Sequence, residues 1–396
     1  STTTSSTTKD PMKKNYMTIW VDGCFDMMHF GHANAIRQAK MLYPRVKLIC
    51  GVHTDAEIQK HKGPTVMNEE ERYSAVRACK WVDEVVEGAP YTTQVSVLRE
   101  HGVDFCVHGE DISFDENGED TYKAIKEAGL MKIVKRTEGV SSTDAISRML
   151  KLAKHYNITG DNDTEETIPS PTSPVDSPYT RARPFLPTTH KVWQFSNPIE
   201  PYDKDDSIPS FNQPIIDAFS TANKTVVYVD GAFDLFHTGH SDFLRDAKKM
   251  GDYLIVGIHD DDIVKYHKGQ HYPIMNLHER VLSVLSCRYV DDVVIGAPFV
   301  VTKDLIDSLR INVVVNGSVK DGAYEIDPYQ VAKELGIYKL VPSPRPDLTT
   351  TTIVKRIIAN AKLYEQRNAK KQLKEVKNME KFGHKIAEIN KDVINN

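Results

Sequence analysis

His29-Phe-Gly31-His32 and His237-Thr-Gly239-His240 set two imidazoles three residues apart around a glycine, twice in one chain of 396 residues. An acidic, glycine-bearing turn precedes each pair: Asp22-Gly23-Cys24-Phe25-Asp26 in the first copy, Asp230-Gly231-Ala232-Phe233-Asp234 in the second. β-Branched and aromatic runs at 18–21 and 226–229 lead in as strands, and periodic stretches from Ala33 and Ser241 lead out as helices. Strand, turn and helix in that order expose free backbone N–H groups at a helix N-terminus, a ready site for phosphate. Imidazole N–H groups beside it can donate to phosphate oxygens as charge develops. By composition such a motif arises by chance about 0.03 times. Two plainer readings compete. The histidines could simply satisfy polar groups at a tight turn, or they could ligate zinc, although no third ligand stands at usual spacing.

The duplication runs well past the histidines. His61-Lys62-Gly63 answers His267-Lys268-Gly269, Glu71-Arg72 answers Glu279-Arg280, and Gly88-Ala-Pro90 answers Gly296-Ala-Pro298. The separation is 208 residues at the histidines, 206 at the lysines and 208 again at the prolines, as loop-length changes between two copies of one fold would give. The period is far too long for a solenoid, so a whole domain is duplicated. We expect a disordered Ser/Thr-rich run over 1–15, a catalytic domain over 16–155, a Pro/Ser/Thr-rich linker over 156–220, a second domain over 221–362, and a helical charged tail over 363–396. In the first repeat strands are expected at 47–52, 82–86, 105–107 and 133–135, alternating with helices; that implies a parallel sheet with helices on both faces.

Ile133-Val-Lys-Arg136-Thr137-Glu-Gly139-Val140-Ser141-Ser142-Thr143 reads as a strand, a turn and a hydroxyl-rich helix start, in the first repeat only. An arginine fork with hydroxyls and free N–H groups makes a polyphosphate cradle. A plain helix cap is the alternative for the serines. At matching places the second repeat carries Pro344 for Arg136, Asp347 for Gly139, Asn316 for His108 and Val319 for Asp111, while keeping His237, His240 and Lys268. Its site therefore reads as impaired, with Arg345 one position away from the missing guanidinium.

A formal charge of −5 gives no electrostatic case for a nucleic-acid partner. Five scattered cysteines (Cys24, Cys50, Cys79, Cys106, Cys287) in mostly apolar settings suggest reduced, buried thiols in a cytoplasmic protein. No long apolar span appears, and the mixed-charge tail allows at most peripheral membrane contact. A homodimer is compatible with the sequence.

The Gly-Cys-Phe-Asp-x-x-His-x-Gly-His turn, the Lys62 loop and Arg136-Thr-Glu-Gly-Val-Ser-Ser-Thr143 together resemble the cytidylyltransferases of the nucleotidyltransferase superfamily. The tandem arrangement resembles the ethanolamine-phosphate branch of that family. This implies two tandem Rossmann-like, doubly wound parallel-sheet α/β domains. It also implies transfer of the cytidylyl group of CTP to phosphoethanolamine, giving CDP-ethanolamine and pyrophosphate for phospholipid biosynthesis. By the family pattern His29, His32, Lys62 and Arg136 are catalytic. Gly23, Cys24, Phe25, Gly31, His108, Gly109, Asp111, Thr137, Gly139, Val140, Ser141, Ser142 and Thr143 would hold CTP. Mg²⁺ would accompany CTP on phosphate oxygens and water, with no dedicated protein metal site. Choline-phosphate cytidylyl transfer, adenylyl transfer and non-catalytic nucleotide sensing are the rival readings; the Arg136–Thr143 segment speaks against the adenylyl one.

Overall fold

The computed structural model describes residues 14–110, 120–137, 140–159 (side chains to 151), 195–196, 224–318, 326–370 and 373. Asp111, Gly139 and Val319 lie outside these, as do residues 1–13, nearly all of the linker and most of the tail.

In the first repeat the order is β1 (Met17–Gly23), α1 (Phe30–Lys40), β2 (Val46–Val52), α2 (Asp55–His61), α3 (Glu69–Arg77), β3 (Glu84–Glu87), α4 (Val95–Glu100), β4 (Phe105–Gly109), α5 (Lys123–Glu127), β5 (Met131–Val134) and α6 (Ser142–Thr159). The second repeats it: β6 (Val226–Gly231), α7 (Thr238–Lys248), β7 (Tyr253–His259), α8 (Asp261–Lys268), α9 (Leu277–Leu285), β8 (Asp292–Ala297), α10 (Lys303–Leu309), β9 (Val313–Gly317), α11 (Gln330–Glu334), β10 (Tyr338–Val341) and α12 (Thr350–Ala359). A further helix, α13, covers residues 361–370, so the expected boundary at 362 falls inside it.

Each sheet has five parallel strands, ordered β3-β2-β1-β4-β5 and β8-β7-β6-β9-β10. The central strands β1 and β6 are buried on both faces, which is why they read as continuous apolar runs. Strand order reverses between β1 and β4, opening a crevice at their carboxyl ends where such folds take ligands. Two strands begin away from their expected positions. Lys40 and the Leu48 N–H both bond the Asp83 carboxylate, so ladder pairing starts only at Glu84. The Cys106–Met131 pairing draws β5 back to Met131, while the Lys135 carbonyl leaves the sheet to accept from Gln38.

The repeats pack on each other about a local twofold. Cys79 and Cys287 face each other in an antiparallel bridge, with Lys80 N–H donating to the Ser286 carbonyl and Arg288 N–H to that of Ala78. Arg148 forks onto Glu279 at 2.7 and 2.9 Å, and Arg356 forks onto Glu71 at the same distances. A self-complementary contact of this kind is the geometry of a twofold dimer. Here it closes within one chain, so this face is already taken. Both carboxylates are buried, so losing either arginine would strand a charge that also caps a helix through the Asn68 or Asn276 N–H. We expect Arg148→Ala and Arg356→Ala each to lower unfolding free energy by about 1–3 kcal/mol in urea titrations. A loss confined to one of them would show that the interface is not energetically symmetric.

Candidate active site

The turn between β1 and α1 is strained in the same way in both repeats. Phe25 and Met27 hold positive φ (53° and 49°), and so do Phe233 and Leu235 (50° and 47°). Non-glycine residues in that region persist where surrounding contacts fix them, often at functional sites. The helix begins at Phe30 rather than at Ala33 because His29 is its cap. His29 Nδ1 accepts the Gly31 N–H at 3.0 Å, and His32 Nδ1 accepts the His29 N–H at 3.4 Å. The motif is thus a capping box built from imidazoles. A ring that accepts at Nδ1 carries its proton on Nε2. Capping thus uses the Nδ1 edge of each ring. Gly31 is required because a Cβ there would lie 2.9 Å from the His29 ring and 2.7 Å from Val140 Cγ1.

Asp26 ties this turn to the lysine loop. Its buried carboxylate accepts the Val66 and Met67 N–H groups at 2.9–3.1 Å, and its carbonyl accepts the Ser142 hydroxyl at 2.9 Å. Arg72, wholly buried, donates to the Cys24 carbonyl and to Asp55. Lys62 ends α2 on the exposed rim, its Nζ 5.4 Å from the centre of the Tyr91 ring. Burial pushes the Cys24 thiol up to about 11, and Phe25 packs beneath Gly23, so both serve as the floor of the turn.

His108 and Gly109 end β4, beside β1 at the crevice. The His108 ring lies 4.7 Å from that of Tyr122, whose hydroxyl donates to Asp22. Asp22 also accepts from Thr93 Oγ1 and, at 2.9 Å, from Trp20 Nε1.

The hydroxyl-rich segment closes the other side. Thr137 accepts from Asn34 Nδ2 at 2.9 Å, Val140 is buried against Gly31, and Arg136 is exposed. Ser141 Oγ accepts the Asp144 N–H at 3.0 Å and donates to its carboxylate, so it does cap α6. Ser142 spends its hydroxyl on Asp26, and Thr143 stands in the first turn of α6. Turn, lysine loop and helix start therefore converge on one crevice.

The second repeat keeps more of this frame than its sequence promised. Thr349 caps α12 and Thr350 donates to the Asp234 carbonyl at 2.9 Å, so the hydroxyl half of the cradle is present in both repeats. His237 and His240 form the same capping box. Their surroundings differ. Phe236 replaces Met28 and stacks on His240, with ring centres 5.6 Å apart. Burial, with Lys268 nearby, pushes His240 down to about 3, and burial lowers His237 well below its ordinary value. Arg345 is held by Asp242 at 2.7 Å, so its charge is already matched. Val301 and Tyr228 replace Thr93 and Trp20 around Asp230, and burial lifts that carboxyl to about 7.

A cytidylyltransferase-like family model matches residues 20–148 and 228–380, spanning both crevices. The chain belongs to that family. It is 52% identical to an ethanolamine-phosphate cytidylyltransferase of Dictyostelium discoideum, over 94% of this chain and 98% of that one. Its identity to the mouse ethanolamine-phosphate cytidylyltransferase is 44%, over 93% and 92%. A rat choline-phosphate cytidylyltransferase A is 48% identical but aligns with only 34% of this chain and 36% of its own length. Among the described residues no helix is long and apolar enough to cross a membrane.

Four residues of this crevice were not singled out from the sequence. Asp22 and Asp26 recur as Asp230 and Asp234 inside the duplicated motif, and that recurrence was the available signal. Thr93 and Tyr122 reach Asp22 across 71 and 100 residues, and nothing local marks them.

His259, buried against the Ala297 carbonyl, is driven down to about 4 chiefly by burial. The unfolded chain binds a proton there at higher pH than the folded one, so stability falls as pH drops below about 6.5. His259→Gln should remove about 2 kcal/mol of the stability difference between pH 7 and pH 5, read from urea unfolding at both. An unchanged profile would mean that His259 is protonated in the folded protein.

Proposed function

We propose that this chain transfers the cytidylyl group of CTP to phosphoethanolamine, releasing pyrophosphate. The observation that carries this reading is the match to ethanolamine-phosphate cytidylyltransferases along both repeats. A choline-phosphate relative corresponds to a single repeat.

A phosphate oxygen of phosphoethanolamine attacks the α-phosphorus of CTP, and the bond to the β-phosphate breaks. No covalent enzyme intermediate is needed, so catalysis rests on positioning and on donors aimed at developing charge. The Nε2–H groups of His29 and His32 supply such donors at the helix N-terminus. Lys62 neutralises charge where the two phosphates meet. Arg136 and the start of α6 take the β and γ phosphates. Mg²⁺ would arrive on the triphosphate and neutralise the leaving group. Both oxygens of Asp26 and three of the roughly four acceptor positions of Asp22 already hold donors, so its ligands would be phosphate oxygens and water. Five free cysteines, four of them buried, support a cytoplasmic setting.

Product formation from CTP with phosphoethanolamine, compared with phosphocholine, tests the substrate directly; equal rates would overturn the head-group assignment. His32→Ala should lower kcat about 10²–10³-fold with little change in circular dichroism. The lost cap costs only about 1 kcal/mol of stability, so near-normal turnover would remove His32 from the mechanism. Lys62→Ala should reduce the CTP-saturated rate far more than Lys268→Ala, because the second crevice has Pro344 in place of Arg136 and a phenylalanine stacked on His240. Matching losses would make the second repeat a working catalytic site.

A further inference from the structure

The segment after Lys62 is held by groups that the first repeat does not own. Arg367 on α13 donates from Nη1 to the Pro64 carbonyl at 2.7 Å, and Tyr364 on the same helix donates to the Thr65 carbonyl at 2.9 Å. The aliphatic stem of Arg367 runs 3.8–3.9 Å from where a Cβ on Gly63 would stand. That glycine has φ of +94°, so the chain turns sharply just past the lysine. Arg367 Nη1 also lies 3.6 Å from Asp26 Oδ2. Tyr364 is buried and the Arg367 side chain nearly so. Asn368, one residue on, reaches Ser147 of α6 at 3.4 Å and seats the helix.

We propose that Arg367, supported by Tyr364, is a positioning residue for Lys62: the helix that follows the second repeat clamps the lysine loop of the first. This rests on the role of Lys62 given above. A lysine is a flexible point charge, and its usefulness at a phosphorus centre depends on where the backbone presents it. Gly63 by itself leaves that backbone free to swing. Two carbonyls fixed by a guanidinium and a phenol, and a third tie from Asp26 to Val66, remove the freedom. The arrangement is one-sided in the sequence: the place of Arg367 in the first repeat is taken by Thr159, which has no guanidinium for the Lys268 loop. The second half of the chain thus serves turnover through α13, although its own crevice lacks the arginine.

The test uses the full chain carrying Arg367→Ala, Arg367→Lys and Tyr364→Phe, each also combined with Lys62→Ala. Steady-state kcat and KM, thermal unfolding and tryptic cleavage at the Lys62–Gly63 bond are read together. A misplaced catalytic group costs up to about 100-fold, so Arg367→Ala should lower kcat about 10- to 100-fold with KM for phosphoethanolamine nearly unchanged. Cleavage after Lys62 should accelerate, and Arg367→Lys should restore part of kcat. In the Lys62→Ala background the same substitution should change the residual rate less than about twofold, since coupled residues are not additive. Full kcat in Arg367→Ala, or an equal fold-loss with and without Lys62, would overturn the proposal. Should Arg367→Ala fail to fold, Tyr364→Phe decides by the same comparison. Wild-type kcat in Lys62→Ala alone would instead overturn the role of the lysine, and the proposal with it.

Discussion

One buried carboxylate in each repeat organises everything around the crevice. Asp26 accepts two consecutive backbone N–H groups, Val66 and Met67, from a loop forty residues further along the chain. Burial raises its carboxyl, and those two N–H groups followed by Arg367 and Arg72 pull it back. Unpaired, such a group would cost several kcal/mol, so the turn and the lysine loop cannot separate cheaply. The carbonyl of the same residue takes the Ser142 hydroxyl, which brings in the start of α6. Three segments distant in sequence are thereby fixed about one residue. Asp234 repeats the arrangement with Ile274, Met275 and Thr350.

That repetition separates what the fold needs from what the chemistry needs. Capping box, buried Asp, buried Arg and helix-start hydroxyl are present twice, so they can be retained for structure alone. The differences lie in groups that face the crevice. Arg136 has become Pro344, Trp20 and Thr93 have become Tyr228 and Val301, and a stacked phenylalanine covers His240. Two histidines kept in the second repeat are thus no sign of turnover there. Both act as caps, His237 buried and His240 with Phe236 stacked on its face.

The sequence made the fold legible because a parallel sheet buries both faces of its central strands, and apolar runs such as Ile19–Val21 and Val226–Val229 leave no other reading. The meeting of motif, loop and helix start at one crevice was legible for a similar reason: each carries a local signal, and duplication doubled it. The walls of the crevice were not. Asp22 draws Thr93 and Tyr122 from the far ends of separate loops, and the clamp on Pro64 comes from three hundred residues away. Periodicity and spacing are local quantities, and such contacts exist only once the sheet is assembled.

The tandem arrangement also changes what the local twofold can do. In a dimer of identical copies, any residue reaching across the axis does so twice, and both sites gain or lose together. Fusing the copies releases that constraint. The paired Arg148–Glu279 and Arg356–Glu71 contacts remain symmetric because both halves share the one interface. Arg367 and Thr159, at matching places, differ. A covalent pseudo-dimer can therefore assign catalysis to one crevice and support to the other without giving up the shared interface. The second repeat keeps its half of that interface, and its differences from the first fall on residues around its own crevice.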